Sequence, residues 1–209
     1  TTETSDIVGI DDVENTAKSA QSHYHRPAFW EMLISALIGL VAALVLSIEA
    51  INIYKNPGTL ASCDLSAKIS CTAVAKTWQA HLLGFPNSFL GLIAEPVVIT
   101  IAVAALGKTR FPRWFLNTAQ VVYFIGFAFA YWLFFQAYFV IHALCPWCLT
   151  ITVTTTLVFF SLARVNILEG NFGKTIQRKL TYPLKIGADI AVEVLLVAII
   201  VGFVITELG

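Results

Sequence analysis

Apolar residues in this chain do not alternate with polar ones; they run in long blocks with few charges. A helix crosses a bilayer with about 20 mostly apolar residues. Blocks of that length cover Phe29 to Ile51, Ser88 to Leu106, Trp114 to Ala163 and Ile186 to Ile205. The third is roughly 50 residues without a Lys, Arg, Asp or Glu, and at 1.5 Å per residue would form about 75 Å of helix, more than twice a bilayer. It must therefore be two spans joined by a turn. His142-Ala143-Leu144-Cys145-Pro146 supplies the turn, since Pro is favoured at the first position of a helix and disfavoured inside one. The pattern predicts five spans, at about 29–51, 88–106, 114–139, 145–163 and 186–205. The last carries Asp189 and Glu193.

Between the first two spans lies a loop, 53–87. Before the first span, residues 1–25 are polar and acid-leaning (Glu3, Asp6, Asp11, Asp12, Glu14), with no apolar helical stripe, and are expected to be a disordered cytoplasmic tail. They lack the basic start of a signal peptide, and the apolar run that follows is too long for one. Residues 26–209 are then expected to form a single membrane domain. Composition agrees: 209 residues, 57% hydrophobic and only 12% charged, with a mean hydropathy of +0.77. This is an integral membrane composition, and zero net charge argues against a nucleic-acid partner.

The cations orient the spans. Lys18, Arg26, Lys108, Arg110, Arg113, Arg164, Lys174, Arg178, Lys179 and Lys185 fall on one side, and only Lys55, Lys68 and Lys76 on the other. Basic residues favour the cytoplasmic side. The expectation is an inward N-terminus, an outward C-terminus and a multi-pass protein of the bacterial plasma membrane. All four cysteines, Cys63, Cys71, Cys145 and Cys148, then lie outside.

Cys145-Pro-Trp-Cys148 alone is compatible with zinc, redox chemistry or chance. Its placement narrows the choice. With Pro146 as first helical residue, Cys145 is the N-cap and Cys148 lies in the first turn, where the positive helix end favours thiolate. A packing disulfide between helices is the plainer alternative. Cys63 and Cys71 enclose a short loop that closes into a disulfide without difficulty, and a structural staple is the plainer reading there too. Two dithiols on one side of a membrane are, however, the layout for relaying electrons by thiol–disulfide exchange. A zinc knuckle usually brings two close Cys-x-x-Cys pairs, which the first pair is not. Thr77 to Leu83 reads as a short interfacial helix anchored by Trp78, positioned to cap the bundle or merely to pack on it. His81 and His142 have no partner at metal spacing. Glu49 lies near the end of the first span. Glu95 precedes Pro96 within the second, as a proton relay or as a neutral partner for backbone freed by the proline.

Cys63-Asp-Leu-Ser-Ala-Lys-Ile-Ser-Cys71, Pro86-Asn-Ser-Phe-Leu-Gly91 and Cys145-Pro-Trp-Cys148, in that order, resemble the vitamin K epoxide reductase family, and Leu44-Val-Leu-Ser47 adds to the likeness. The resemblance covers roughly Trp30 to Leu162. It implies an all-α integral membrane fold, a four-helix bundle around a quinone, to which this chain adds a fifth transmembrane helix. It assigns Cys148 to the quinone side and Cys145 to the resolving position. Cys71 would exchange with Cys145, and Cys63 would meet an outside partner. Asn87 and Ser88 match positions that face the quinone, and Phe89 and Trp147 are expected among the apolar walls. The implied cofactor is a quinone of the ubiquinone or menaquinone type, without metal. Two departures bear on the expectation. Thr152 stands where vertebrate members carry a Tyr, so the resemblance does not extend to epoxide reduction of the vertebrate kind. The sequence stops at Gly209, without the thioredoxin domain fused in many bacterial members, so the expected partner is a separate extracytoplasmic thioredoxin-fold thiol oxidase.

The expected function is thus a quinone-linked thiol oxidoreductase that drives disulfide formation in exported proteins, with electrons passing from Cys63/Cys71 to Cys145/Cys148 to quinone. The unrelated quinone-linked generator family carries its Cys-x-x-Cys in the first outer loop, unlike this chain. A disulfide-stapled membrane protein or transporter without redox activity is the rival from another class, and the spans lack the paired half-helices of transporters.

Overall fold

The computed structural model describes the backbone of residues 3–208 and the side chains of residues 26–206. Seven α-helices follow one another among the described residues: α1 (Glu3–Lys55), α2 (Cys71–Ala75), α3 (Ser88–Leu106), α4 (Arg113–Gln136), α5 (Pro146–Leu168), α6 (Lys174–Lys185) and α7 (Ala188–Leu208). A 3-10 turn spans Trp78–His81, and a π-helical stretch, Ala137–Ile141, continues α4. Five segments are long and apolar enough to cross a membrane: Arg26–Lys55, Ser88–Leu106, Arg113–Ile141, Pro146–Leu168 and Ala188–Thr206. The five-span pattern and the all-helical architecture are therefore present.

Three local features go beyond the sequence expectation. The backbone of residues 3–25 is helical and continuous with the first span. No proline precedes Pro27, so nothing there stops a helix propagating back from the apolar segment. The third span runs on through the π-helical stretch to Ile141 before reversing. Beyond the fourth span, residues 174–185 form a helix of their own, α6.

α1 is the central helix and packs along both α3 and α5, while α4 packs on α5. Its inner stripe repeats every four residues as Ala28, Met32 and Ala36, then Ala43 and Ser47, all buried. Small residues let neighbouring backbones approach in a membrane, where lipid supplies no hydrophobic drive for helix association. The approach is close: a Cβ on Gly91 of α3 would stand 2.8 Å from Ala43 Cβ. The core joins Ala28, Met32 and Ala36 to Val98, Ile101 and Ala102 of α3, Leu116 of α4, and Val158, Leu162 and Val165 of α5. α4 meets α5 through aromatic pairs such as Phe127–Phe159, with centroids 4.8 Å apart. α7 is held by an Arg164–Asp189 ion pair and by Phe203 edge-on to Tyr138 at 4.8 Å. Large apolar side chains such as Ile34, Ile38 and Val41 of α1 face outward, as lipid requires.

Candidate active site

The loop after α1 is built around two carboxylates. Glu49, near the end of the first span, accepts the Ser62 N–H (3.1 Å) and the Ser62 hydroxyl (2.7 Å), so it tethers the residue before Cys63. Asp64 Oδ1 accepts the Ser70 hydroxyl (2.8 Å) and the Thr72 N–H (3.0 Å), and Oδ2 accepts the Ala61 N–H (3.2 Å). Burial pushes the Asp64 carboxyl up, but the bonds from Thr72, Ser70 and Ala61 together outweigh it and hold the group below its ordinary value. Asp64 thus draws the two ends of the loop together, and Cys63 and Cys71 are joined as a disulfide with Cα atoms 5.8 Å apart. Ser70 caps α2, its hydroxyl accepting the Ala73 N–H at 3.0 Å, so Cys71 is the first residue of its helix, while Cys145 is the N-cap of α5.

A backbone bridge brings the two cysteine pairs together. Ser70 N–H donates to Leu144 O (3.1 Å) and Leu144 N–H to Lys68 O (2.8 Å), pairing Ile69 with Leu144. Cys71 and Cys145 follow directly, and their sulfurs are 3.0 Å apart. The sulfurs of Cys63, Cys71 and Cys145 all lie within 4.8 Å of one another. The turn that presents Cys145 is made by His142, in the left-handed region at φ 55°, and by extended Cys145 itself, with Pro146 as the first residue of α5. This is the local structure expected from the sequence. The Cys148 N–H donates to Cys145 Sγ at 3.4 Å. The Cys145 thiol is held below its ordinary value by the Cys148 side chain and, against burial, by the N–H groups of Cys148 and Trp147. Cys145 and Cys148 are free thiols. Cys63, at 7% exposure, is enclosed under the loop.

Behind this contact is a cavity of about 880 Å³. Cys71, Cys145 and Cys148 line its cysteine end, and the walls come from α1, α3, α4 and α5. Among the described residues α3 and α4 make little direct contact, and the cavity lies between them. The lining is apolar: Leu90, Phe129, Leu133, Phe134 and Leu149 dominate near the cysteines. Phe89 and Trp147, expected as walls, are not among the lining residues. Phe89 stacks on Phe85 (6.2 Å), and Trp147 packs against the cysteine cluster.

Asn87 and Ser88 both line the cavity. Ser88 opens α3, and its Oγ lies 3.0 Å from Ser47 Oγ. Asn87 occupies the N-cap position but makes no capping bond. Its Nδ2 donates to Gln79 O at 2.6 Å, and its N–H donates to Ala80 O at 2.9 Å. The side chain therefore fastens the Trp78–His81 turn over the cavity, whose lining includes Gln79, Ala80, His81, Leu82 and Leu83. Asn87 Oδ1 is left buried with no hydrogen-bond partner. Thr152, four residues after Cys148, lines the cavity too, its hydroxyl donating to Cys148 O at 3.0 Å.

Deeper in the cavity, buried Glu95 accepts the Tyr123 hydroxyl on Oε2 at 3.3 Å. A Cβ on Gly39 would stand 2.8 Å from Glu95 Oε1, so α1 is thinned where the carboxyl lies. Sequence reasoning had singled out Glu95 but missed Tyr123, Gln79 and the loop-closing part of Asp64. Only Asp64 carried a usable signal, a carboxylate directly after a loop cysteine with Ser and Thr donors within reach.

Compared with known proteins, the chain matches the sequence model of the vitamin K epoxide reductase family over residues 30–163. That segment contains the four cysteines, Asn87, Ser88 and the whole cavity wall from α1 to α5 as far as Leu162. No curated protein matches the chain.

Proposed function

The chain belongs to the vitamin K epoxide reductase family, a family of membrane oxidoreductases that work through redox-active disulfides, and from that premise we propose that it passes electrons from a protein dithiol to a quinone. The observation that carries the reading is the 3.0 Å contact between Cys71 and Cys145 at the mouth of an apolar cavity that also holds Cys148. Thiol–disulfide exchange needs an attacking thiolate in contact with the sulfur it attacks.

The exchange runs in two balanced steps. With the outer pair reduced, the Cys71 thiolate attacks Cys145 of a Cys145–Cys148 disulfide, forming Cys71–Cys145 and releasing the Cys148 thiolate. The Cys63 thiolate then attacks Cys71, forming Cys63–Cys71 and releasing the Cys145 thiolate. Two electrons have moved inward, and the protons lost by the outer thiols are matched by those the inner thiolates take up. The arrangement described above, a Cys63–Cys71 disulfide beside free Cys145 and Cys148, corresponds to the end of this sequence. The lowered Cys145 value makes it a good leaving thiolate in the second step.

A quinone bound here would supply the two-electron acceptor that lets Cys145 and Cys148 rejoin as a disulfide. The cavity suits it on two counts: an apolar lining for a ring and its tail, and buried Asn87 Oδ1 lacking a donor. A quinol hydroxyl would satisfy that oxygen, and the second Nδ2–H serves a quinone carbonyl. The electron source we propose is a thioredoxin-fold protein on the extracytoplasmic side, where the cysteines lie if the ten-to-three bias of basic residues sets the orientation. Cys63 is enclosed, so the loop must open to receive the partner; Leu60 and Leu65, 72% and 74% exposed on either side, are where it would be gripped.

The test is a double variant, Cys63→Ser with Cys148→Ser. It leaves Cys71 and Cys145 as the only thiols, and mild oxidation is expected to join them within one chain, read by peptide mapping. A chain that stays reduced, or that links only between molecules, would refute the exchange step.

A further inference from the structure

α6 is the one described helix with a sharply divided surface. Lys174, Gln177, Arg178, Thr181, Tyr182 and Lys185 fall at spacings of three and one along its length and bound a shallow basin of about 450 Å³. The opposite stripe is Ile176, Leu180 and Leu184. Leu184 is buried, while Ile176 and Leu180 stay 43% and 39% exposed. Gln177 Nε2 donates to Leu168 O at 2.8 Å, pinning α6 to the end of α5, and α6 also packs on α7. Both neighbours are membrane spans. The helix is thereby fixed at the level where two spans leave the bilayer, at the end of the bundle away from the cysteines.

Among the described residues the ion pair is Arg164–Asp189, so no described carboxylate neutralises Lys174, Arg178 or Lys185. Like charges gathered on one face cost free energy unless an anion answers them. The apolar stripe decides which anion. A free phosphate would meet the three cations but leave Ile176 and Leu180 in water. A phospholipid answers both stripes at once, its phosphate on the basic face and its acyl chains beside the apolar one. Tyr182, 73% exposed, has the amphipathic ring favoured at head-group depth. We propose that the basic face of α6 is a binding site for the head group of an anionic phospholipid, independent of the redox chemistry at the other end of the bundle.

The probe is phosphatidylglycerol against phosphatidylcholine, titrated onto the purified full chain and counted by native mass spectrometry. The wild type is expected to retain phosphatidylglycerol preferentially. Replacing Lys174, Arg178 and Lys185 together by Gln should weaken that retention by about a hundredfold, roughly fivefold per cation, since a basic residue near an anionic surface contributes about 1 kcal/mol. Arg178→Gln alone should give the fivefold step, and Arg178→Lys should recover most of it, which keeps the test informative if the triple variant folds poorly. Lys108→Gln with Arg110→Gln, on the same side but outside α6, should leave the preference intact. Equal retention of the two lipids by the wild type, an unchanged preference in the triple variant, or full displacement of the lipid by inorganic phosphate would each overturn the proposal.

Discussion

Replacing Asn87 by Ala separates a cavity residue from a helix cap. The Nδ2 bond to Gln79 O contributes about 0.5–1.5 kcal/mol net, and stranding that carbonyl costs roughly 1–3 kcal/mol. The same substitution removes Oδ1, which is buried without a partner and already costs about as much. The two changes offset, so the fold should lose no more than about 1 kcal/mol. The effect on turnover has no such compensation. A group on an apolar wall that bonds a quinone oxygen as its charge changes is worth roughly tenfold or more in rate. Thermal unfolding of the purified variant, paired with quinone reduction at saturating dithiol, measures both. Asn87→Ala should melt close to the wild type and turn over at least about tenfold more slowly. A lowered melting temperature with full turnover per folded molecule would refute the assignment and make Asn87 a fastener of the Trp78–His81 turn alone.

Three further outcomes follow from the geometry. Asp64 is held below its ordinary value, so its contribution to the loop is complete above the unfolded value of about 3.9 and fades as pH falls through the folded one; discounted for solvent screening, Asp64→Asn should cost no more than about 1 kcal/mol near neutral pH and flatten the acid limb of the unfolding profile, and an unaltered limb would contradict this. Gly91→Ala sets a methyl 2.8 Å from Ala43 Cβ, a neighbour with no rotamer to yield, and should cost about 1–3 kcal/mol in thermal unfolding, partly restored by Ala43→Gly; no loss would contradict the α1–α3 approach. After reduction, an impermeant maleimide should reach the cysteines in intact cells; labelling only in broken membranes would reverse the proposed orientation.

Much of the bundle was legible because a membrane simplifies the code. The five spans could be read from the length of their mostly apolar runs, and the split of the long third block from Pro146 beside Cys145. The N-cap place of Cys145 followed from the same proline. The 3.0 Å meeting of Cys71 with Cys145 was implied by the family resemblance alone, because it depends on a backbone bridge between Ile69 and Leu144, 75 positions apart. No local pattern encodes such a pairing. α6 did carry a signal, Ile176, Leu180 and Leu184 at intervals of four, but its cations drew attention first as an orientation marker. The fate of Asn87 was illegible for another reason. Cap, fastener and ligand use the same amide, and only the position of Gln79 O decides which hydrogen is already spent.

Quinone reduction by the purified protein, followed optically with two electron donors, tests the central claim most directly. The wild type should reduce quinone with either a thioredoxin-fold dithiol protein or a small membrane-permeant dithiol. Cys63→Ser should lose the protein donor yet keep the small one, which reaches Cys145 and Cys148 without the loop. Cys148→Ser should reduce no quinone with either donor; full turnover in that variant would contradict a path through the cavity.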